Sequence, residues 1–477
     1  MQAVPASVGA EIVLRQLDAR TISSIRRALR YPNPEYIKAR KGGEDPDVPP
    51  RLSACEELPG GCIRLPRGAI DAIRPMLHLR RVKPHWTDER SFGEPIDVQL
   101  HDIEPRPYQR EAAELLRRHV QGMVVLPCGG GKTYTGIVAI ALLGVSTLVV
   151  VPTRDLVDQW ADDVRTVLHV EPAIFGTGKH DIGPITIATK DALSYHGELD
   201  LSRFGFVIYD EGHRIPAVTG QALLRRVPAR YRLGLTATPE REDGLTKMVR
   251  WSFGPPLLQK TIEELVDEGF LVLPRVEAIH TSFDYSFPDD WDWKDLHALT
   301  DALAAHRPRR QTVLDLVSRE PEQTWLLLSP SRGDLCWELA EEIRSLGITA
   351  QAVTSTKPPK SVGGKKLSRG KRRAIMDDFR AGNFRVLAAT SLADEGLNIR
   401  HLSRIVFVLP EGTKNGTTQR LGRCMRPEGD APIVYDLVDR NVDRLLRRWE
   451  KRKAVYRQLG LEIRECPTLS LFDPKTL

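Results

Sequence analysis

Several things are scarce in this chain, and each scarcity excludes a class of protein. Cysteine occurs six times in 477 residues, at 55, 62, 128, 336, 424 and 466, with no CxxC pair and no cluster of metal-ligand spacing. That excludes a disulfide framework or zinc module and points to reduced thiols in a cytosol-like compartment. No uninterrupted apolar run reaches membrane-spanning length, since the longest candidate, Ile137 to Val151, is broken by Gly144 and Ser146. The opening residues lack a basic-plus-apolar signal pattern, because charged residues follow at once from Glu11 onward. A large charge imbalance is also missing: 69 Lys and Arg against 63 Asp and Glu leave +6, so bulk electrostatics do not specify a polyanionic partner. What remains, 41% hydrophobic and 28% charged residues, is ordinary globular composition, and the length suits about three domains.

Two segments carry chemistry. The apolar run Met123-Val-Val-Leu-Pro leads into Cys128, Gly129, Gly130, Gly131, Lys132 and Thr133, followed by a helix-like stretch from Tyr134 to Leu143. Glycines let the backbone close around phosphate oxygens, the helix N-terminus supplies N–H donors, Lys132 can reach the β/γ-phosphates and Thr133 can hold Mg²⁺. This is a P-loop, although Leu126 stands where the generic pattern has its first glycine. The second run, Phe206 to Tyr209, delivers Asp210-Glu211-Gly212-His213 to the carboxyl edge of a predicted parallel sheet. Adjacent carboxylates there divide the work: Asp210 coordinates Mg²⁺ and Glu211 polarises the attacking water.

Periodicity organises the rest. Residues 1–100 read as a small separate α+β domain, with a helix near Ala19 to Leu29, a turn-rich Tyr31 to Tyr36 and a second helix after Gly68. Its Arg26, Arg27, Arg30, Lys38, Arg40 and Lys41 suit a nucleic-acid platform on which Tyr31 and Tyr36 stack bases; the alternative is a packing domain with core tyrosines. Residues 101–255 alternate strands (147–151, 185–188, 206–209, 231–235) with helices, 256–307 form a connection, and 308–477 repeat the alternation (324–328, 385–389, 404–409, 433–436). The predicted fold is thus α/β, two tandem parallel-sheet lobes behind a small α+β domain.

The second lobe carries Gln419, Arg420, Arg423 and Arg426 on a predicted helix. Arg423 and Arg426 share one helical face and can point at a single target, as cationic groups must where charge develops on a γ-phosphate. Lys357 to Arg373 holds eight basic residues and no acid, among them Lys365, Lys366, Arg372 and Arg373, and Arg440 to Arg457 holds eight against two acids. Both runs fit phosphate-backbone binding, or else simple solvated faces.

Over about residues 102–440 the chain resembles a superfamily-two DExH-type helicase with two RecA-like lobes. Arg106, Tyr108 and Gln109 match the adenine-reading segment, Thr153-Arg154 and Thr189-Lys190 the strand-contacting motifs, and Asp210 to His213 the DExH box. Thr236-Ala237-Thr238 matches the motif linking that box to the nucleic-acid groove, and Thr390-Ser391 with Asp394 and Gly396 the lobe-two motif touching strand and nucleotide. The resemblance makes Lys132, Asp210, Glu211, His213, Gln419, Arg423 and Arg426 catalytic. The Thr-Ala-Thr followed by Arg241-Glu242-Asp243 resembles the XPB-type branch, and Asn33 to Tyr36 with Leu65 to Gly68 the leading domain of phage UvsW-type helicases. The connection 256–307 leaves little room for the thumb insertion of XPB. The resemblance implies ATP and Mg²⁺ as cofactors and single-stranded, duplex or branched DNA as partner, in a bacterial or phage-infected cytoplasm and away from membranes. RNA-dependent unwinding, or a DNA-stimulated ATPase working beside a nuclease, repair or defence protein, are the alternatives.

Overall fold

The computed structural model describes residues 2–214, 218–238, 240, 243–287, 293–330, 332–390, 401–410, 414–422, 425 and 432–466, with the side chains of 218–219, 293–295, 414–415 and 419 outside that description. The chain divides near Lys260 and Thr261 into two compact units.

The first unit holds a seven-stranded, wholly parallel sheet in the order 173–175, 185–189, 147–151, 206–209, 231–236, 121–125, 256–259. Its central strands are buried along their whole length, as Phe206–Tyr209 and Thr147–Val151 illustrate, because helices cover both faces. The second unit repeats the architecture in the order 350–353, 386–389, 325–328, 404–407, 433–438, 275–280, 463–466, again all parallel. The two tandem α/β lobes expected from the alternation are therefore present.

The connection 256–307 is fuller than expected: Pro256–Gln259 closes one edge of the first sheet, and Arg275–His280 sits inside the second sheet, between Ile433–Val438 and Ile463–Cys466.

The N-terminal region forms its own five-stranded sheet, in which Gln2–Val8 pairs in parallel with Val82–Asp88 and antiparallel with Glu11–Leu14. It is not a detached module. Its core (Ile22, Ile25, Ile63, Leu65, Ile73) closes over Leu245, Met248 and Trp251 at the helix Thr246–Phe253 of the first lobe. Two buried guanidinium groups complete the seam. Arg67 donates to the carbonyls of Gly9 (3.3 Å), Ala229 (2.7 Å) and Arg230 (3.1 Å) and to the Gln121 amide oxygen. Arg232 donates to Ala10 O (2.9 Å), Val227 O (3.1 Å) and Ser252 O (3.3 Å).

The segment expected to be turn-rich is a short strand, Arg30–Pro32, and a helix, Pro34–Lys41. Asn33 caps that helix by accepting from Glu35 N at 3.1 Å, and Pro34 occupies the first turn, where its missing N–H costs nothing. Tyr31 packs against the domain core, where burial pushes its phenol pKa up; Tyr36 lies under Arg40, with the guanidinium 5.7 Å from the ring centre.

Candidate nucleotide site and strand-binding edge

Parallel pairing fixes which residues meet. Tyr209 lies opposite Gly234 and Thr236 opposite Val125, so the strands 206–209, 231–236 and 121–125 end at the same edge of the sheet and place Asp210, Thr236 and Leu126 there. Main-chain bonds seal the junction: Leu126 N donates to Thr236 O at 3.0 Å and Asp210 N to Val150 O at 2.9 Å.

The loop from Leu126 turns through Gly129 and Gly131 at φ of +82° and +75°, a left-handed conformation that suits glycine, and enters the helix Lys132–Leu143. That helix has no side-chain cap and no acid in its first turn, so its leading N–H groups suit an anion. Gly131 also makes room for Gln109, since a Cβ there would stand 2.7 Å from the Gln109 amide nitrogen. Gln109 donates to Gly131 O at 3.3 Å and accepts from Arg106 N at 3.0 Å, while the Arg106 guanidinium donates to the Tyr108 hydroxyl at 2.8 Å. The three residues expected to read adenine are thereby tied to the phosphate loop.

Asp210 is buried. Its Oδ2 accepts from the indole N–H of Trp160 at 2.8 Å and its Oδ1 from Glu211 N at 2.9 Å. Burial, then the Glu211 charge, push the Asp210 carboxyl up to about 6, against the opposing Trp160 hydrogen bond and Lys132 charge. Glu211 itself stands at φ +51°, an uncommon conformation for a glutamate and the sort of backbone strain that collects at functional sites. His213 bonds the Thr236 hydroxyl, which in turn accepts from Thr238 N. The acid pair and the Thr-Ala-Thr segment are thus one network.

Farther along the same edge, strands 147–151 and 185–189 end at Thr153-Arg154 and Thr189-Lys190. Thr153 and Thr189 cap the helices that follow, accepting from Leu156 N at 3.4 Å and Ala192 N at 3.3 Å. Thr153, Arg154 and Thr189 line one pocket of about 740 Å³ with His180, Tyr195 and His196; Lys190 instead lies 3.7 Å from Asp191.

Comparison with known proteins supports a helicase. The chain matches the family described as "Type III restriction enzyme, res subunit" over residues 102–241 and the "Helicase conserved C-terminal domain" over residues 309–428. It is 28% identical over 368 residues to the "DNA 3'-5' translocase XPB2" of Sulfurisphaera tokodaii, covering 72% of this chain and 83% of that protein. It is also 28% identical over 395 residues to the "Probable helicase D10" of Escherichia phage T5, covering 81% and 82%. Among solved structures, S. cerevisiae Dbp5 bound to RNA and ADP BeF3 shares the fold at a TM-score of 0.56 and 16% identity, over 76% of this chain and 90% of that one. Over both lobes the chain is similar to the superfamily-two helicases.

The helicase is therefore an ATP-hydrolysing enzyme with a nucleic-acid substrate. Of its expected site residues, the structure brings together Arg106, Tyr108, Gln109, Gly131, Lys132, Asp210, Glu211, His213, Thr236 and Thr238 at one sheet edge, with Thr153, Arg154 and Thr189 beside them. Ser391, Asp394, Gly396, Arg423 and Arg426 lie outside the described residues, and Gln419 belongs to the helix Lys414–Leu421 with its side chain outside the description. Thr390 is buried at the end of the strand Val386–Ala389. The basic loop resolves into an irregular 357–367 and the helix Arg369–Arg380, where Arg373 lies 3.9 Å from Asp377. In the second basic run, Arg452 is core: it grips Asp436 through two bonds of 2.8 and 2.9 Å, and Tyr456 donates to the same carboxylate at 2.6 Å. Trp160, which donates directly to Asp210, had no signal in the residue pattern; only the topology reveals it. Among the described residues no helix is long and apolar enough to cross a membrane.

Proposed function

We propose that this helicase is an ATP-dependent DNA translocase that unwinds or remodels duplex or branched DNA by stepping along one strand through its phosphates. The observation that carries the reading is the shared sheet edge, where the phosphate loop, the acid pair and the Thr153–Arg154–Thr189 pocket end adjacent or near-adjacent strands. The archaeal translocase and the phage helicase support DNA as substrate, and the phage relative supports action in a bacterial or phage-infected cell.

Mg²⁺ suits the residues present. Among the described residues no group of three or more His, Cys, Asp or Glu makes a protein-only metal cage, whereas Mg²⁺ characteristically takes one or two carboxylates plus substrate phosphates and water. Asp210 and the Thr133 hydroxyl would hold the ion, which neutralises charge on the phosphates. Lys132 serves the β/γ-phosphates and Glu211 orients the attacking water. Gln419, Arg423 and Arg426, with Asp394 and Gly396, are the second lobe's assignments for the nucleotide and its developing charge. Thr390 and Ser391 are assigned to the strand, as are Lys190, Thr236, Thr238, Lys365, Lys366, Arg372 and Arg373. ATP binding and hydrolysis would shift the population between two arrangements of the lobes.

The test is the ATPase rate with single-stranded DNA, duplex DNA, forked DNA and RNA supplied separately, followed by strand separation on the best activator. Stimulation by forked or single-stranded DNA together with unwinding supports the proposal. Stimulation by RNA alone replaces the substrate, and DNA-stimulated hydrolysis without strand separation makes the chain a motor or signalling subunit for another protein.

A further inference from the structure

The helix Arg154–Leu168 begins at the strand-contacting Thr153–Arg154 and, about 9 Å further along its axis at 1.5 Å per residue, presents Trp160 to the catalytic carboxylate. Trp160 is fully buried, and its indole N–H finds its acceptor in Asp210 Oδ2 at 2.8 Å. The ring is seated on purpose-made space: Gly136, on the helix that leaves the phosphate loop, would bring a Cβ to 2.6 Å from Trp160 Cη2. The other carboxylate oxygen is held by Glu211 N at 2.9 Å, from a residue in the left-handed conformation. With one N–H on each oxygen the carboxylate cannot rotate freely, and each oxygen keeps a second lone pair for a metal or its water. Filling this volume alone would need no donor, and a buried indole N–H would be costly without an acceptor.

We propose that Trp160 is a positioning residue: its indole orients the Asp210 carboxylate for the nucleotide-bound Mg²⁺, and because one helix carries both Trp160 and Arg154, strand contact is transmitted to the metal site through this bond. The proposal rests on Asp210 being the metal-side carboxylate. Hydrogen-bond partners behind metal ligands commonly contribute 10- to 100-fold in metal affinity, which sets the expected scale.

The experiment measures, by calorimetry on the full chain, the affinity for a non-hydrolysed ATP analogue with Mg²⁺ and with a chelator, each with and without a poly(dT) oligonucleotide. In the wild type Mg²⁺ tightens binding, and the oligonucleotide increases that gain. Trp160→Phe, which keeps most of the volume and loses the N–H, should cut the Mg²⁺ gain roughly tenfold and abolish its response to the oligonucleotide, while affinity in chelator stays unchanged. Gly136→Ala, which displaces the ring but retains the indole, should act in the same direction. Val164→Ala, a buried change one turn further along the helix, should lower the melting temperature and leave both gains intact. If Trp160→Phe keeps the wild-type gains, or Val164→Ala loses them equally, Trp160 only packs and the proposal is overturned. If Trp160→Phe fails to fold, an undiminished gain in Gly136→Ala overturns it as well. Asp210→Asn separates the premises: if it retains the Mg²⁺ gain, the metal assignment itself is wrong, whereas loss there with retention in Trp160→Phe removes the positioning role alone.

Discussion

The Nδ1 atom of His213 lies 3.0 Å from the Thr236 hydroxyl, and the same nitrogen stands 3.2 Å from Glu211 Oε2. One imidazole therefore touches both Glu211, the acid proposed to polarise water, and the segment expected to face the strand. His213→Ala should lower the ratio of DNA-stimulated to unstimulated ATP turnover by about fivefold to tenfold, the lower end of ordinary coupling between sites. Parallel steady-state assays with and without saturating single strand measure it. A ratio equal to wild type would mean the imidazole merely fills the turn.

Glu211→Gln keeps the side-chain shape and removes the charge proposed to polarise water. Hydrolysis should fall by roughly 10²- to 10⁴-fold, while nucleotide binding persists and the complex with DNA becomes long-lived. Stopped-flow release of labelled DNA after ATP addition reads the trapping. Near wild-type turnover in this variant would falsify the assignment of Glu211 as the base.

Lys365 and Lys366 in the irregular segment and Arg372 on the following helix are expected to hold phosphates without reading sequence. Changing the three to Ala should weaken binding equally for unrelated oligonucleotides. It should also flatten the fall of log affinity with log salt by up to roughly 0.7 per lost single-strand contact. An unchanged slope in fluorescence anisotropy titrations means that the segment is only solvated.

Glu11 is pressed into the seam between the N-terminal sheet and the first lobe, 3.2 Å from Arg225 and 3.6 Å from Arg64. Burial outweighs those arginines and raises its pKa above the ordinary 4.5. The folded chain therefore holds this proton more tightly than the unfolded one. The contribution is full below pH 4.5 and is lost as pH rises through the raised value. Relative to Glu11→Gln, the wild type should lose stability between pH 4.5 and neutrality in denaturant titrations; a constant difference across that range contradicts the shift.

Arg67→Ala would leave the carbonyls of Gly9, Ala229 and Arg230 and the Gln121 amide oxygen without this donor in the seam. The loss should be on the order of 3 kcal/mol or more, read as a lowered denaturant midpoint. A shift below about 1 kcal/mol would mean that water replaces the guanidinium with little loss.

Fully buried parallel strands were legible because they read as continuous apolar runs: Thr147–Val151 and Phe206–Tyr209 fall where expected. Short edge strands such as Ala173–Phe175 and Ala350–Val353 were not, since three or four residues carry too little pattern. The helix Pro34–Lys41 was missed because Asn33-Pro34 serves equally as a turn and as a helix start. The motifs marked by local spacing, Gly129 to Thr133 and Asp210 to His213, were visible in the chain; the contact made by topology, Trp160 against Asp210, was not. Charge runs misled where burial intervened, since Arg452 in a run read as a phosphate grip is a core residue closed onto Asp436.

The placement of Arg275–His280 between Ile433–Val438 and Ile463–Cys466 has a consequence for biosynthesis. The first sheet is complete once Gln259 has been made, so that lobe can fold while the rest of the chain is still being translated. The second sheet must keep Arg275–His280, one of its earliest strands, waiting for partners made more than 150 residues later. Until then the apolar side chains of Val276 and Ile279, buried in the finished protein, are exposed on an unpaired strand. The period of greatest aggregation risk for this helicase is therefore late elongation, and slowing translation before residue 433 should harm its yield more than slowing it before residue 256.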